Sequence, residues 1–72
     1  MKTLEQIRER CTNFIEWEIS THIKLKQTWS RENARTAVSH AFVFGLIDDE
    51  KNQSYTARIL AVEIKQEGQP DA

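Results

Sequence analysis

The sequence is poor in the residues that interrupt or cross-link small proteins. It contains one cysteine, two glycines and one proline among 72 residues. A single cysteine excludes an internal disulfide bond and a cysteine-based metal site, and it is typical of a reducing compartment. So few glycines and prolines favour long helices over a fold of many short strands and turns.

Long apolar runs and an excess of one charge are also absent. No segment approaches the about 20 apolar residues of a membrane span, and the N-terminal residues are too charged for a secretion signal. The net charge of −1 is not typical of a general nucleic-acid binder. We therefore expect a cytoplasmic protein with one domain at residues 1–66 and a disordered tail at 67–72.

The N-terminal part of the chain has the pattern of one long helix, over about residues 3–28. Thr3 and Gln6 have the spacing of a capping box. Apolar residues follow at helical spacing on one stripe. Its members are Leu4, Ile7, Cys11, Phe14, Ile15, His22 and Leu25, with Ile19 and Ile23 beside them.

Two shorter helices are predicted at about 31–44 and 49–66. Ser30 is a favourable N-cap for the second helix, and Gly45 is a favourable residue to end it. Asp48 or Asp49 would cap the third helix.

A row of small residues in the second predicted helix favours one of two possible folds over the other. Residues 41–47 and 55–64 are rich in β-branched and aromatic residues, as in a β-hairpin. However, Ala37, Ala41 and Gly45 are spaced four apart, which favours a helix packed closely on the first one. The expected fold class is all-α, a three-helix domain with a long N-terminal helix.

The predicted helices carry more apolar surface than three helices can bury among themselves. The first predicted helix is longer than either of the other two, and residues 41–47 are apolar on every side. Exposed apolar surface of this extent marks an interface, and oligomerisation stabilises small domains. We expect a two-fold homodimer, with a three-helix monomer as the alternative. The candidate partner or dimer-interface residues are Trp17, Ile19, Ile23, Phe42, Phe44, Leu60 and Ile64.

No residue pattern predicts catalysis. Cys11 lies on the apolar stripe, away from any base or helix end that would activate its thiol. Glu18, His22 and His40 offer at most three metal ligands, and the first two are more typical of a hydrogen-bonded pair at the edge of a core. We expect no enzymatic activity, no metal and no cofactor.

A basic segment surrounds the predicted turn between the first two helices. Its four basic residues are Lys24, Lys26, Arg31 and Arg35. Such a corner could bind an acidic protein or a nucleic-acid backbone, although a solvated charged turn has the same composition.

These features predict a small accessory or regulatory protein, of the kind that bacteria and phages encode, that acts by protein–protein interaction. The alternative is a dimeric regulator that associates with nucleic acid through the basic corner.

Overall fold

The structure, a computed structural model, describes residues 2–65 as three α-helices. Helix α1 is Leu4–Leu25, α2 is Thr28–Val43 and α3 is Asp49–Leu60. No strand occurs within this range, so the all-α fold is confirmed and the β-hairpin is excluded there. The predicted disordered tail at 67–72 and the predicted end of the third helix at residue 66 lie outside the described residues.

Helix α1 begins as the sequence predicts and ends three residues earlier. The backbone N–H of Gln6 donates to Thr3 Oγ1 at 3.2 Å, and the N–H of Thr3 donates to Gln6 Oε1 at 3.0 Å, which completes the capping box. At the other end, Lys26 adopts a left-handed conformation with φ 53° and donates its N–H to the carbonyl of His22 at 2.8 Å. This conformation turns the chain out of the helix, so α1 cannot continue to residue 28.

Helix α2 begins earlier than predicted because Gln27, and not Ser30, is its N-cap. The segment 28–30 forms the first helical turn instead of a loop. Ser30 is the third residue of the helix, and its hydroxyl oxygen accepts a hydrogen bond from the backbone N–H of Gln27 at 3.0 Å. The serine therefore stabilises the helix start through its side chain from inside the first turn.

Gly45 closes α2 as predicted, by the hydrogen-bond pattern of a Schellman motif. The N–H of Gly45 donates to the carbonyl of Phe42 at 3.0 Å, and the N–H of Leu46 donates to that of Ala41 at 2.8 Å. Gly45 has a φ of 73°, a conformation that residues with a side chain rarely adopt. This conformation explains the glycine, and lack of space does not, because an added Cβ would meet no atom within 4 Å. It therefore lies after the helix, and only Ala37 and Ala41 of the predicted small-residue row belong to α2.

Helix α3 is capped by Asp48, whose carboxylate accepts from the N–H of Lys51 at 2.9 Å. It ends at Leu60, well before the predicted residue 66. After the helix the chain returns to the α1–α2 turn, where the N–H of Lys65 donates to the carbonyl of Lys26 at 2.7 Å. This return explains the shorter helix, because a continuing α3 would carry these residues away from the turn.

One core holds the three helices together. Helix α2 lies in contact with both other helices, whereas α1 and α3 meet over a smaller area. The buried apolar residues come from all three helices and from the α2–α3 loop: Ile15, Ile19, Ala34, Val38, Ala41, Ile47, Tyr55 and Ile59.

Adjacent residues of α3 test this packing. Ile59 is fully buried and Leu60 is 55% exposed. We expect Ile59→Ala to lower the free energy of unfolding by about 2–5 kcal/mol, because it leaves a cavity, and Leu60→Ala to lower it by less than about 1 kcal/mol. Urea denaturation followed by circular dichroism at 222 nm measures both. Equal losses would contradict the orientation of α3.

Candidate functional site

The aromatic residues are distributed unusually for a small helical domain. All six lie within residues 2–65, and five of them are exposed. Only Tyr55 is buried among these six, at 7% exposure. Aromatic side chains bury the largest apolar areas in most cores, so their position outside this core marks a candidate interaction surface.

Helix α3 covers one side of the α1–α2 hairpin. Arg58 of α3 donates two hydrogen bonds to the carboxylate of Glu16 in α1, at 2.8 and 2.9 Å. On α2, Phe42 lines a shared groove with Asn52 and Thr56 of α3. The opposite side of the hairpin has no helix over it within residues 2–65.

We call this uncovered side the open face. Helical spacing and the groove between α1 and α2 define its members. They are Ile7, Phe14, Trp17, Glu18 and Leu25 of α1 with Trp29, Asn33, Thr36, Ala37 and His40 of α2, and Phe44 just after it.

Two aromatic contacts form raised ridges on the open face. The rings of Phe14 and Trp17 stack with centroids 6.2 Å apart and an interplanar angle of 25°. The ring of Phe44 meets His40 edge-on at 6.4 Å. Between these two ridges lies a groove of about 240 Å³, with small side chains such as Thr36 and Ala37 in its lining. The face therefore presents ridges and a groove, and not a flat surface.

The structure separates the interface residues that the sequence predicts. Trp17 and Phe44 lie on the open face, 60% and 75% exposed. Ile19 is fully buried in the core because it faces α2. The prediction that Ile19 lies at an interface on the surface is therefore wrong. The remaining four are outside the open face: Ile23, Phe42, Leu60 and Ile64.

Sequence reasoning missed several open-face residues because it assigned them to the core or to a loop. Phe14 was expected on the buried stripe of the first helix and is 52% exposed. Trp29 was expected in the turn and lies in the first turn of α2, 56% exposed. A signal was present, since Trp29 precedes Asn33 by four residues and His40 by eleven, which is one helical face.

A buried polar pair lies where α1 meets the start of α2. His22 is fully buried, and its Nδ1 lies 2.7 Å from the hydroxyl oxygen of Ser30. The same hydroxyl lies 2.8 Å from the carbonyl oxygen of Gln27, which accepts its proton. In this arrangement Nδ1–H of His22 donates to Ser30. Its Nε2 is buried without a hydrogen-bond partner, so a second proton there would be costly.

Burial lowers the pKa of His22 below its ordinary value of 6.5, and the positive charge of Arg31 lowers it further. Burial also raises the pKa of the half-buried Cys11 thiol above 9.0, which disfavours the reactive thiolate. Neither side chain has the electrostatic environment of a nucleophile or of a histidine that is charged near neutral pH.

The four basic residues near the α1–α2 turn differ in their surroundings. Arg31 is half-buried, and its Nε lies 4.0 Å from Oε1 of Glu32. Arg35 lines the groove between α2 and α3, on the side away from the open face. The side chains of Lys24, in the last turn of α1, and of Lys26, just after this helix, are exposed. Lys24 follows Trp17 by seven residues and therefore lies on the same side of α1, whereas Arg35 lies away from the open face, so these charges do not share one face.

Within residues 2–65 no three metal-ligating side chains lie close enough together to hold an ion. None of the described helices combines the length and the apolar character that crossing a bilayer requires. No protein-family model, curated protein or solved structure matches this chain.

The buried histidine predicts a defined pH dependence of stability. Between the ordinary pKa of 6.5 and the lower pKa in the folded protein, the unfolded chain binds a proton that the folded chain does not. The free energy of unfolding should therefore be level above about pH 7 and fall as the pH drops below 6.5.

Urea denaturation between pH 5 and 8 measures this dependence. His22→Asn should abolish the decline, whereas His40→Asn, which changes the exposed histidine, should retain it. A decline that persists in the His22→Asn protein would assign the titration to another group.

Proposed function

We propose that this protein is a non-enzymatic accessory or regulatory module that acts by protein–protein association through its open face. The observation that carries the proposal is the exposure of Phe14, Trp17, Trp29 and Phe44 on one side of the α1–α2 hairpin. Tryptophan and other aromatic residues are enriched among the few side chains that dominate binding energy at interfaces.

The residues between the aromatic side chains also suit an interface. Asn33, Thr36 and His40 line the groove with groups that form hydrogen bonds, and Ala37 keeps it open. Interfaces combine an apolar centre with a limited number of such polar groups. Association through this face would also stabilise the domain, since binding to the folded state alone shifts the folding equilibrium.

A pair of double variants tests the proposal. The face variant carries Phe14→Ser and Phe44→Ser, which remove two exposed rings from the open face. The control variant carries Ile23→Ser and Leu60→Ser, which remove two apolar side chains that are 47% and 55% exposed elsewhere. All four sites are exposed, so neither variant should lose the helical circular dichroism spectrum.

Both variants and the unaltered chain are immobilised and exposed to extract of the source cells, with and without nuclease treatment. We expect the unaltered chain and the control variant to retain the same protein, and the face variant to lose it. If no retained protein depends on the open face, the proposal is wrong. Retention that disappears only after nuclease treatment would point to nucleic acid instead.

A further inference from the structure

We propose that the occupant of the open face is a second copy of this chain, related to the first by a two-fold axis. This inference rests on the function proposed above and names the partner for the same face. Three properties of the face support it: its area, its charge and its shape.

The area of exposed aromatic surface matches the requirement of a stable dimer. Phe14, Trp17, Trp29 and Phe44 are 52%, 60%, 56% and 75% exposed. At about 200 Å² for each side chain, they present roughly 500 Å² of apolar surface. Each partner in a standard interface contributes about 800 Å², of which about 56–65% is apolar. Two copies of the open face therefore bring together the apolar area of a complete interface.

The charge of the groove in this face permits pairing with itself. A two-fold interface brings identical patches together, so a face with several like charges would repel its own copy. The groove of the open face is lined by a single carboxylate, Glu18, and by one imidazole, His40, on the facing helix. Across a two-fold axis, the carboxylate of one copy can accept a hydrogen bond from the imidazole of the other.

The shape of the face is complementary to itself. The stacked rings of Phe14 and Trp17 form a ridge on α1, and the groove beside them is lined by Thr36 and Ala37 of α2. A ridge of one copy can enter the groove of the other, and the two-fold axis repeats this contact. The result is a four-helix layer, with α1 and α2 of each copy inside and α3 of each copy outside.

Sedimentation equilibrium of the full chain over a range of concentrations tests the dimer. We expect a mass of twice 8.4 kDa at the higher concentrations. The face variant, Phe14→Ser with Phe44→Ser, should raise the dissociation constant by about 30-fold or more, as expected for loss of central aromatic anchors. The control variant, Ile23→Ser with Leu60→Ser, should change it by less than about threefold.

Tryptophan fluorescence of the unaltered chain gives a second measurement that needs no substitution. Trp17 and Trp29 are the only tryptophans, and both lie on the open face. Dimerisation through this face should shift their emission to shorter wavelength over the concentration range in which the mass doubles. A dimer whose tryptophan emission is unchanged uses another face, which would overturn the inference.

The possible results separate this inference from the proposed function. A chain that stays monomeric, yet retains a different protein through the open face, overturns the second copy and leaves the interaction function standing. A dimer that the face variant does not weaken, together with no face-dependent retention, overturns both. A dimer that weakens with the face variant and not with the control supports association through the open face and the second copy as its occupant.

Discussion

The hydroxyl of Ser30 holds the reversal between α1 and α2, and the rest of the structure depends on this reversal. It contacts the backbone of Gln27 at the start of α2 and the buried ring of His22 near the end of α1. Only two residues separate the helices, so this contact fixes which sides of them meet. Ile15 and Ile19 thereby face the small residues of α2.

That arrangement also determines which apolar residues remain outside. Once Ile15 and Ile19 occupy the centre of the contact, Phe14 and Trp17 are rotated toward solvent, because each residue advances about 100° around a helix. Helix α3 then covers the side of the hairpin that carries Glu16, to which Arg58 is hydrogen-bonded. The open face is thus the side of the hairpin that neither the core nor α3 uses.

The packing of small residues explains why the core contains so few aromatic side chains. Ala34 and Ala41 allow α1 and α2 to approach closely, which leaves little space between them for rings. Tyr55 enters the core from α3 and not from the contact between α1 and α2. Placing aromatic residues outside reduces the apolar area buried within one chain, and association at the open face would bury it between chains.

Local sequence patterns predicted much of the secondary structure. The capping box at Thr3, the turn at Gly45 and the cap at Asp48 each depend on side-chain chemistry within a few residues, so they can be recognised without a partner helix. The ends of α1 and α3 could not be read in this way. No glycine marks the end of α1, where Lys26 takes the left-handed conformation. After α3, the path of the chain depends on a hydrogen bond between residues distant in sequence, from the N–H of Lys65 to the carbonyl of Lys26.

By itself, the sequence determined that the chain forms three helices with more apolar surface than they can bury, because periodicity and caps are local properties. Only the tertiary structure decided which apolar residues remain exposed. Phe14 and Ile19 look alike in a helical pattern, and the second is buried while the first lies on the surface. The difference is the rotation of α1 against α2: five residues place Phe14 and Ile19 about 140° apart around the helix, so only one of them can face α2.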